Sequence, residues 1–526
     1  MAATAMLDAA VLRAWADGAV RALAEHRTEL DALNVFPVAD SDTGTNLYLT
    51  VREGRQALAQ GAGGEAARGF ARGALVGARG NSGVIVSQYL GELLRAVPSG
   101  PTTGEALARG LRRATDAAYQ AVARPVEGTV LTVARAVADG AQAAAAAVAG
   151  PADVLVAAVA AGYEALGRTP SQLAPLRAAG VLDAGGWGLL LVLGALAEAL
   201  GARPVVGRPA LPGPEGAGVA PRTQAGPQHD HDHDHEHGDG PCPHADQGGA
   251  FEVMFVVTAP GLPGADDVAA RLRERLAEVG DSVAVVGGDG LWQAHAHTDD
   301  PLAAVASAGA AGVVATQVRV RHIGRQAGHG VHAPALGVVA VTGAVGLTAD
   351  LARAGAVVVL VLPGQVAGAE LERAVDDTGA AAVLVLAPGG LVAAAPDRPD
   401  VRVRDDLTEV QVVAGAATFA ALASAGLGPE AFEAQVLAAV DDVRTAVADV
   451  GPDGDAGPVL DAARSLATDE TVLLTVLAPD GAPEDLADRL AGVVGDGVEV
   501  VALATGLPGR TVVLGAEATV EPGGRP

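Results

Sequence analysis

Lysine is missing from this chain: all 35 basic residues among its 526 are arginine. Codon bias is the simplest cause, but the chemical consequence is firm. There is no lysine for a Walker A loop, for a Schiff base, or for the ion pair of a protein-kinase site. Any phosphate chemistry must rest on metal, backbone N–H groups, hydroxyls and arginine. Cysteine is nearly absent too. The single Cys242 excludes an intramolecular disulfide and fits a reducing compartment. Aromatics are scarce, with six Phe, four Tyr and three Trp, so the cores must be built from Ala, Val and Leu. A net charge of −27 argues against nucleic acid and anionic membrane surfaces as partners. The first residues lack a basic segment followed by an apolar one, so no signal peptide is expected. The apolar stretches at 189–200 and 141–149 are too short to cross a bilayer. The expectation is a cytoplasmic protein without membrane insertion.

The chain's most informative run is Asn34-Val-Phe-Pro-Val-Ala-Asp40-Ser-Asp42-Thr43-Gly44-Thr45-Asn46. Two carboxylates sit two residues apart in a Gly/Ser/Thr-rich turn, and a helical pattern follows from Leu47. Carboxylate oxygens suit a hard cation such as Mg²⁺, and free amides at a helix start suit phosphate oxygens. Thr43, Thr45 and Asn46 can donate to phosphate or complete a metal shell, and Gly44 lets the backbone approach closely. The alternative is an Asp-rich turn that only caps a helix. A second run, Gly77-Ala-Arg79-Gly80-Asn81-Ser82-Gly83, opens another helical stretch. Its glycines permit close approach to phosphate, the Ser82 hydroxyl adds a donor, and Arg79 could offset charge on a transferring group or be a surface arginine.

Residues 6–200 read as about eight helices with no convincing strand, near 45–59, 64–75, 82–96, 104–123, 129–149, 151–167 and 186–200 after a first apolar stripe from Leu7 to Leu23. Residues 203–250 are Pro- and Gly-rich and contain an alternating His/Asp tract at 228–237; the composition predicts a disordered linker, either a spacer or a weak metal binder. Strand, helix, strand, strand, helix, strand is expected over 251–321, the order of a ferredoxin-like split βαβ unit. His295 and His297, two apart on one strand, share a face. From 335 onward short Val-rich strands alternate with helices, the pattern of βαβ units on a largely parallel sheet, with a second α/β piece over 472–514.

The run at 34–46 resembles the signature of the dihydroxyacetone kinase L-subunit superfamily and, more closely, of the ATP-binding subunit of bacterial fatty acid kinase. The likeness continues at Gly77–Ile85, at Pro125–Val133 and at Gly180–Gly186. The resemblance implies an all-α up-and-down helical bundle or barrel at 1–202 that binds nucleotide, a linker at 203–250, an α+β middle domain at 251–330 and an α/β partner-docking domain at 335–526. It implies ATP and Mg²⁺ as cofactors, with Asp40 and Asp42 as metal ligands, Asn34 where the superfamily has a third ligand, and Thr129 and Asp183 in the nucleotide pocket. The segment from Ala294 to Pro301 resembles one associated with a Zn²⁺ site formed by His295 and His297. The family's nearby Cys is replaced by Glu252 or Met254, and Glu252 is the candidate third ligand. The implied activity is phosphoryl transfer to a fatty acid held by a separate DegV-type fatty-acid-binding protein, with a homodimer as a further expectation. A kinase of dihydroxyacetone type and a non-catalytic nucleotide-binding scaffold are the competing readings.

Overall fold

The computed structural model describes residues 4–58, 64–97, 99–147, 149–202, 249–259, 265–326, 334–495 and 497–518. The His-rich tract and nearly all of the expected linker lie outside the described residues. The chain divides into two units, one of residues 1–71, 89–119 and 125–248, the other of 72–88, 120–124 and 249–526.

The first unit is helical. Elements in this part of the chain are β1 (Thr4–Leu7), α1 (Ala9–Ala32), α2 (Thr43–Leu58), α3 (Gly64–Val76), α4 (Gly80–Ala96), β2 (Gly100–Thr103), α5 (Gly104–Ala121), α6 (Val130–Ala146), α7 (Pro151–Gln172), α8 (Ala174–Ala179) and α9 (Ala184–Ala199). The facing ends of α3 and α4 and the end of α5 belong to the second unit. α1 starts where the Asp8 side chain accepts from the amides of Ala10 and Val11, and it buries Leu12, Trp15, Ala16, Ala19, Leu23 and Leu30. That is the helical stripe expected from the sequence. α9 is apolar all round because it is the core of the unit: its first fourteen residues, Ala184 to Ala197, are buried. Trp15 ties α1 to it by donating Nε1–H to the Val192 carbonyl at 3.0 Å. Close packing replaces aromatic bulk here. A Cβ on Gly188 would stand 2.2 Å from Leu47, and one on Gly162 would stand 2.4 Å from Leu190. The sequence shows no strand in this region, yet β1 and β2 pair antiparallel from Thr4↔Thr103 to Leu7↔Gly100. Four residues are too few for an alternating pattern to register.

The second unit carries β3 (Phe251–Thr258), α10 (Ala265–Val279), β4 (Asp281–Gly288), β5 (Leu291–Thr298), α11 (Pro301–Ala310), β6 (Ala315–His322) and α12 (Ile323–Gln326). Next come β7 (Leu336–Thr342), α13 (Thr348–Arg353), β8 (Val357–Leu360), α14 (Ala369–Asp377), β9 (Ala382–Pro388), β10 (Val401–Leu407), α15 (Glu409–Leu422) and α16 (Pro429–Asp442). The chain closes with β11 (Arg444–Asp449), α17 (Gly457–Leu466), β12 (Thr471–Ala478), α18 (Leu486–Val494), β13 (Glu499–Ala504) and β14 (Thr511–Ala518).

Sequence patterning treats 251–330 and 335–526 as separate domains, but the structure joins their strands. One sheet of eight strands runs β10-β9-β7-β8-β6-β3-β5-β4, and a second of four runs β11-β14-β12-β13. The strands β6-β3-β5-β4 are mutually antiparallel and β10-β9-β7-β8 mutually parallel. The seam is the antiparallel pair β6–β8, in register at Val318↔Leu360, Arg319↔Val359 and Val320↔Val358. Without β8, β6 would be an edge strand with a row of open N–H and C=O groups. Pairing across the seam satisfies them, and it is a long-range event that local pattern cannot announce.

Candidate phosphoryl-transfer and cation sites

In the first unit, the run from Asn34 to Asn46 forms the turn between α1 and α2. Asn34 is buried, Asp40 and Asp42 are half-buried, and Asn34 Nδ2 donates to Asp40 Oδ1. Ser41 sits between them at φ 57°, in the left-handed region, which turns the chain sharply at the centre of the carboxylate pair. Gly44 is dictated by packing. A Cβ there would lie 2.3 Å from the Arg27 carbonyl oxygen and 2.8 Å from Leu30 Cβ. Thr43 and Asn46 are likewise buried, at 5% and 4% exposure, in the first turn of α2.

Thr45 corrects one expectation. Its amide and hydroxyl both donate to Asp31, at 2.9 and 2.8 Å, so it holds α2 to the end of α1 instead of presenting its donors to phosphate. Asp31 was not legible as a site residue. Burial, and to a lesser extent the charge of Asp42, push its carboxyl up to about 6 against the hydrogen bonds from Thr45 and Gly44. One signal exists: Asp31 lies in the last turn of a helix, where a negative charge opposes the macrodipole. Such an acid needs another partner. Three carboxylates, Asp31, Asp40 and Asp42, therefore gather on one turn, an arrangement that suits a divalent cation of the Mg²⁺ type.

Thr129 and Asp183 both start helices of the first unit. Thr129 caps α6, accepting from Leu131 N at 3.4 Å and donating to the Val126 carbonyl at 2.7 Å. Asp183 caps α9, accepting from Gly186 N at 2.6 Å, and a second hydrogen bond from the Val130 backbone links it to the start of α6. Burial pushes its carboxyl up to about 7, against those two bonds. The structure thus gives Asp183 a strut's role between two helix starts. Glu127, within the same motif, accepts from Thr132 and Tyr119 and pairs with Arg135 at 2.9 Å.

The Gly77–Gly83 run belongs to the second unit. Gly80, at φ 56°, opens α4, and Asn81 and Ser82 are half-buried. Arg79 is neither exposed nor poised in solvent. It is 2% exposed, its Nε donates to Asp377 at 2.7 Å, and Asp377 also pairs with Arg319 at 3.2 Å. Gly77 accepts a further bond from the Arg79 guanidinium. The two arginines hold the Asp377 carboxyl below its usual range against the opposing effect of burial. Burial lowers Arg319 to about 10 despite Asp377.

On the same sheet, register places Glu252 opposite His297 and Met254 opposite His295. Ligand atoms of Glu252, His295 and His297 lie within 4.8 Å of one another, and all three residues are buried. His295 Nδ1 is 3.3 Å from Glu252 Oε1, while the other Glu252 oxygen pairs with Arg321. The position-sharing Met254 instead meets Arg319 Nη2 through its sulfur at 3.9 Å. Two imidazoles and one carboxylate oxygen fit a three-ligand divalent site; the neighbouring guanidinium of Arg321 opposes it.

Residues 37–198 match the family model of the DAK2 domain, so the helical front of the chain is a DAK2-type domain. Residues 249–329 match the model of the FakA-like middle domain of fatty acid kinase. The chain thus belongs to the FakA-like fatty acid kinase family, with a dihydroxyacetone kinase L-subunit-like N-terminal domain. An uncharacterized protein of Staphylococcus aureus strain USA300 is 36% identical over 175 residues, which is 32% of this chain and 32% of that protein. The counterpart in strain NCTC 8325 gives the same figures. The chain therefore spans about a third of the length of the curated relatives it matches. Among solved structures, a DegV family protein from Corynebacterium glutamicum is 16% identical with a TM-score of 0.29, covering 36% of this chain and 98% of that one. The dihydroxyacetone kinase from C. freundii in complex with AMP-PNP and Mg²⁺ is 23% identical, also with a TM-score of 0.29, over 36% of this chain and 34% of that one. Among the described residues no helix is long and apolar enough to cross a membrane.

Proposed function

We propose that this chain is the ATP-handling component of a cytoplasmic two-component kinase. It would transfer the γ-phosphoryl group of ATP to the carboxylate of a fatty acid presented by a DegV-type fatty-acid-binding protein, giving an acyl phosphate. The observation that carries the reading is the α1–α2 turn, where the half-buried Asp40 and Asp42 stand at a helix start inside a DAK2-type domain. Asp40 and Asp42 would hold Mg²⁺, with Asn34 orienting Asp40. The ion would neutralise charge on the triphosphate. The Gly80–Gly83 turn supplies backbone amides at the start of α4. A fatty carboxylate is already ionised at neutral pH, so its attack needs no general base. An acyl chain must also be shielded from water, at about 0.8 kcal/mol per CH₂, which a separate carrier achieves by exposing only the carboxylate.

In the second unit, the strand order β6-β3-β5-β4 supports a ferredoxin-like middle domain. Glu252, His295 and His297 support a bound Zn²⁺ or similar cation there. The deciding experiment is an acyl-phosphate assay with labelled ATP, run with the chain alone, the carrier alone and both together. Product only in the combined reaction is expected. Robust product from the chain alone would sink the two-component reading. Phosphorylation of a triose with no acyl phosphate would transfer the assignment to a kinase of dihydroxyacetone type, and nucleotide binding without any transfer would leave a scaffold.

A further inference from the structure

The three residues that precede the Gly80–Gly83 turn are each held by a different group of the second unit. Gly77 accepts from the Arg79 guanidinium. The Ala78 carbonyl accepts from Gln293 Nε2, on β5, at 3.0 Å. Arg79 donates to Asp377, the last residue of α14, at 2.7 Å and 298 residues away in sequence. The second Asp377 oxygen is taken by Arg319 of β6, so the carboxylate is clamped between a turn and a central strand. The Arg79 carbonyl then accepts the first helical bond of α4, from Gly83 N at 3.0 Å. The direction of the open amides at Gly80 to Ser82 is therefore set by a backbone that Gln293 and Asp377 fix.

We infer that Asp377 and Gln293 are positioning residues for the Gly80–Gly83 turn: from the α/β sheet layer they aim the amides with which that turn meets the phosphates of ATP. The inference rests on the kinase reading above. Asp377 has the mark already noted for Asp31, a carboxylate closing a helix end where the dipole disfavours it. Its placement is explained by the two guanidinium groups it joins. Apolar contacts among Leu75, Ala78, Val84, Met254, Ala284 and Val286 hold the same hairpin to the sheet independently. Loss of one polar anchor should therefore loosen the turn without releasing it.

The test compares Gln293→Leu and Asp377→Asn with Asp376→Asn in the full chain, assayed with the carrier. Asp376 is the neighbouring acid on the same helix end and pairs with Arg398 at 2.7 Å, away from Arg79. Gln293→Leu should raise the KM for ATP·Mg²⁺ about fivefold with kcat nearly unchanged, the pattern of weakened ground-state binding. Asp377→Asn should raise KM at least tenfold and lower kcat as well. Both should speed amide exchange over residues 77–83, and Asp376→Asn should do neither. Unchanged KM in a folded Gln293→Leu variant, or an equal rise in Asp376→Asn, overturns the inference even where Asp377→Asn fails to fold. Wild-type chain that binds no ATP·Mg²⁺ by calorimetry sinks the kinase reading and with it the role assigned to the turn. The exchange arm separates that outcome, because it reads the anchor without nucleotide.

Discussion

Around Asp40 and Asp42 the first unit gathers carboxylates, while around Asp377 the second gathers guanidinium groups. The first cluster lies on a turn, half-buried, and its charges add: Asp42 helps push the Asp31 carboxyl upward. The second is buried and self-compensating, with Asp377 shared by Arg79 and Arg319, and Glu252 paired with Arg321. Like charges kept near the surface await a ligand of opposite sign. Opposite charges sealed in a core fix geometry, since either partner left alone would be an uncompensated buried ion. Chemistry and positioning are thus assigned to differently built clusters, and each assignment can be broken separately.

The largest effect should come from the acidic cluster. Asp40→Ala or Asp42→Ala is expected to abolish phosphoryl transfer, by a hundredfold or more, on the order of a lost metal ligand. Circular dichroism and melting should stay as in wild type, because neither carboxylate anchors the core. A folded variant with near-normal turnover would dissolve the contrast between the two clusters.

How much of this was readable in advance differs along the same line. The Asp loop, the Gly80 turn and the caps at Thr129 and Asp183 were legible as positions, because glycine, hydroxyl and carboxylate residues at helix starts follow local rules. The strands Phe251–Thr258 and Leu291–Thr298 followed from alternation and β-branched residues. What side chains do at those positions depended on distant partners. Arg79 needed Asp377, Thr45 needed the end of α1, and the β6–β8 seam needed two segments that sequence pattern treats apart. Each is a long-range pairing that no local window contains.

Gly44→Ala tests whether the acidic turn is held by packing. The added Cβ would meet the Arg27 carbonyl at 2.3 Å, and backbone cannot swing aside as a flexible side chain can. A loss of roughly 3 kcal/mol is expected, read as a lower denaturation midpoint with the second unit's signal unchanged. Normal stability would show that α1 and α2 are not so tightly apposed.

Asp183→Asn addresses the buried carboxylate outside both clusters. In the folded chain its carboxyl is raised from 3.8 to about 7 by burial, so the folded state retains a proton that the unfolded state has lost. Its contribution is present below about pH 4 and disappears as the pH rises through about 7, a change on the order of 2 kcal/mol. Asparagine keeps the acceptor oxygen for Gly186 and Val130 without the charge. The variant should therefore gain on wild type in melts taken from pH 5 to pH 8. A gap that does not widen with pH would return Asp183 to the nucleotide pocket.

The trio Glu252, His295 and His297 offers a smaller effect and sharpens the comparison inside the second unit. Metal analysis after equilibration with Zn²⁺ should find about one ion per chain, as three ligands allow, and His295→Ala should lose it. Glu252→Cys should bind more tightly, since a thiolate is a softer ligand and is free of the Arg321 ion pair. Equal, negligible Zn²⁺ in all three chains would show that the arginines around this face govern it alone.

Removal of residues 228–244 should change least. The segment lies outside the described residues, and its composition of His, Asp, Gly and Pro marks it as a spacer. A tether chiefly sets the effective concentration of the parts it joins, and shortening it by 17 residues alters that only weakly. Transfer within about threefold of wild type is expected, measured in buffer with Mg²⁺ and with or without added Zn²⁺. If the deletion abolished transfer and only Zn²⁺-loaded wild type were active, the alternating His/Asp tract would belong to the mechanism. Charge gathered in a low-complexity segment would then do work that the folded units otherwise assign to the turn at Asp40 and Asp42.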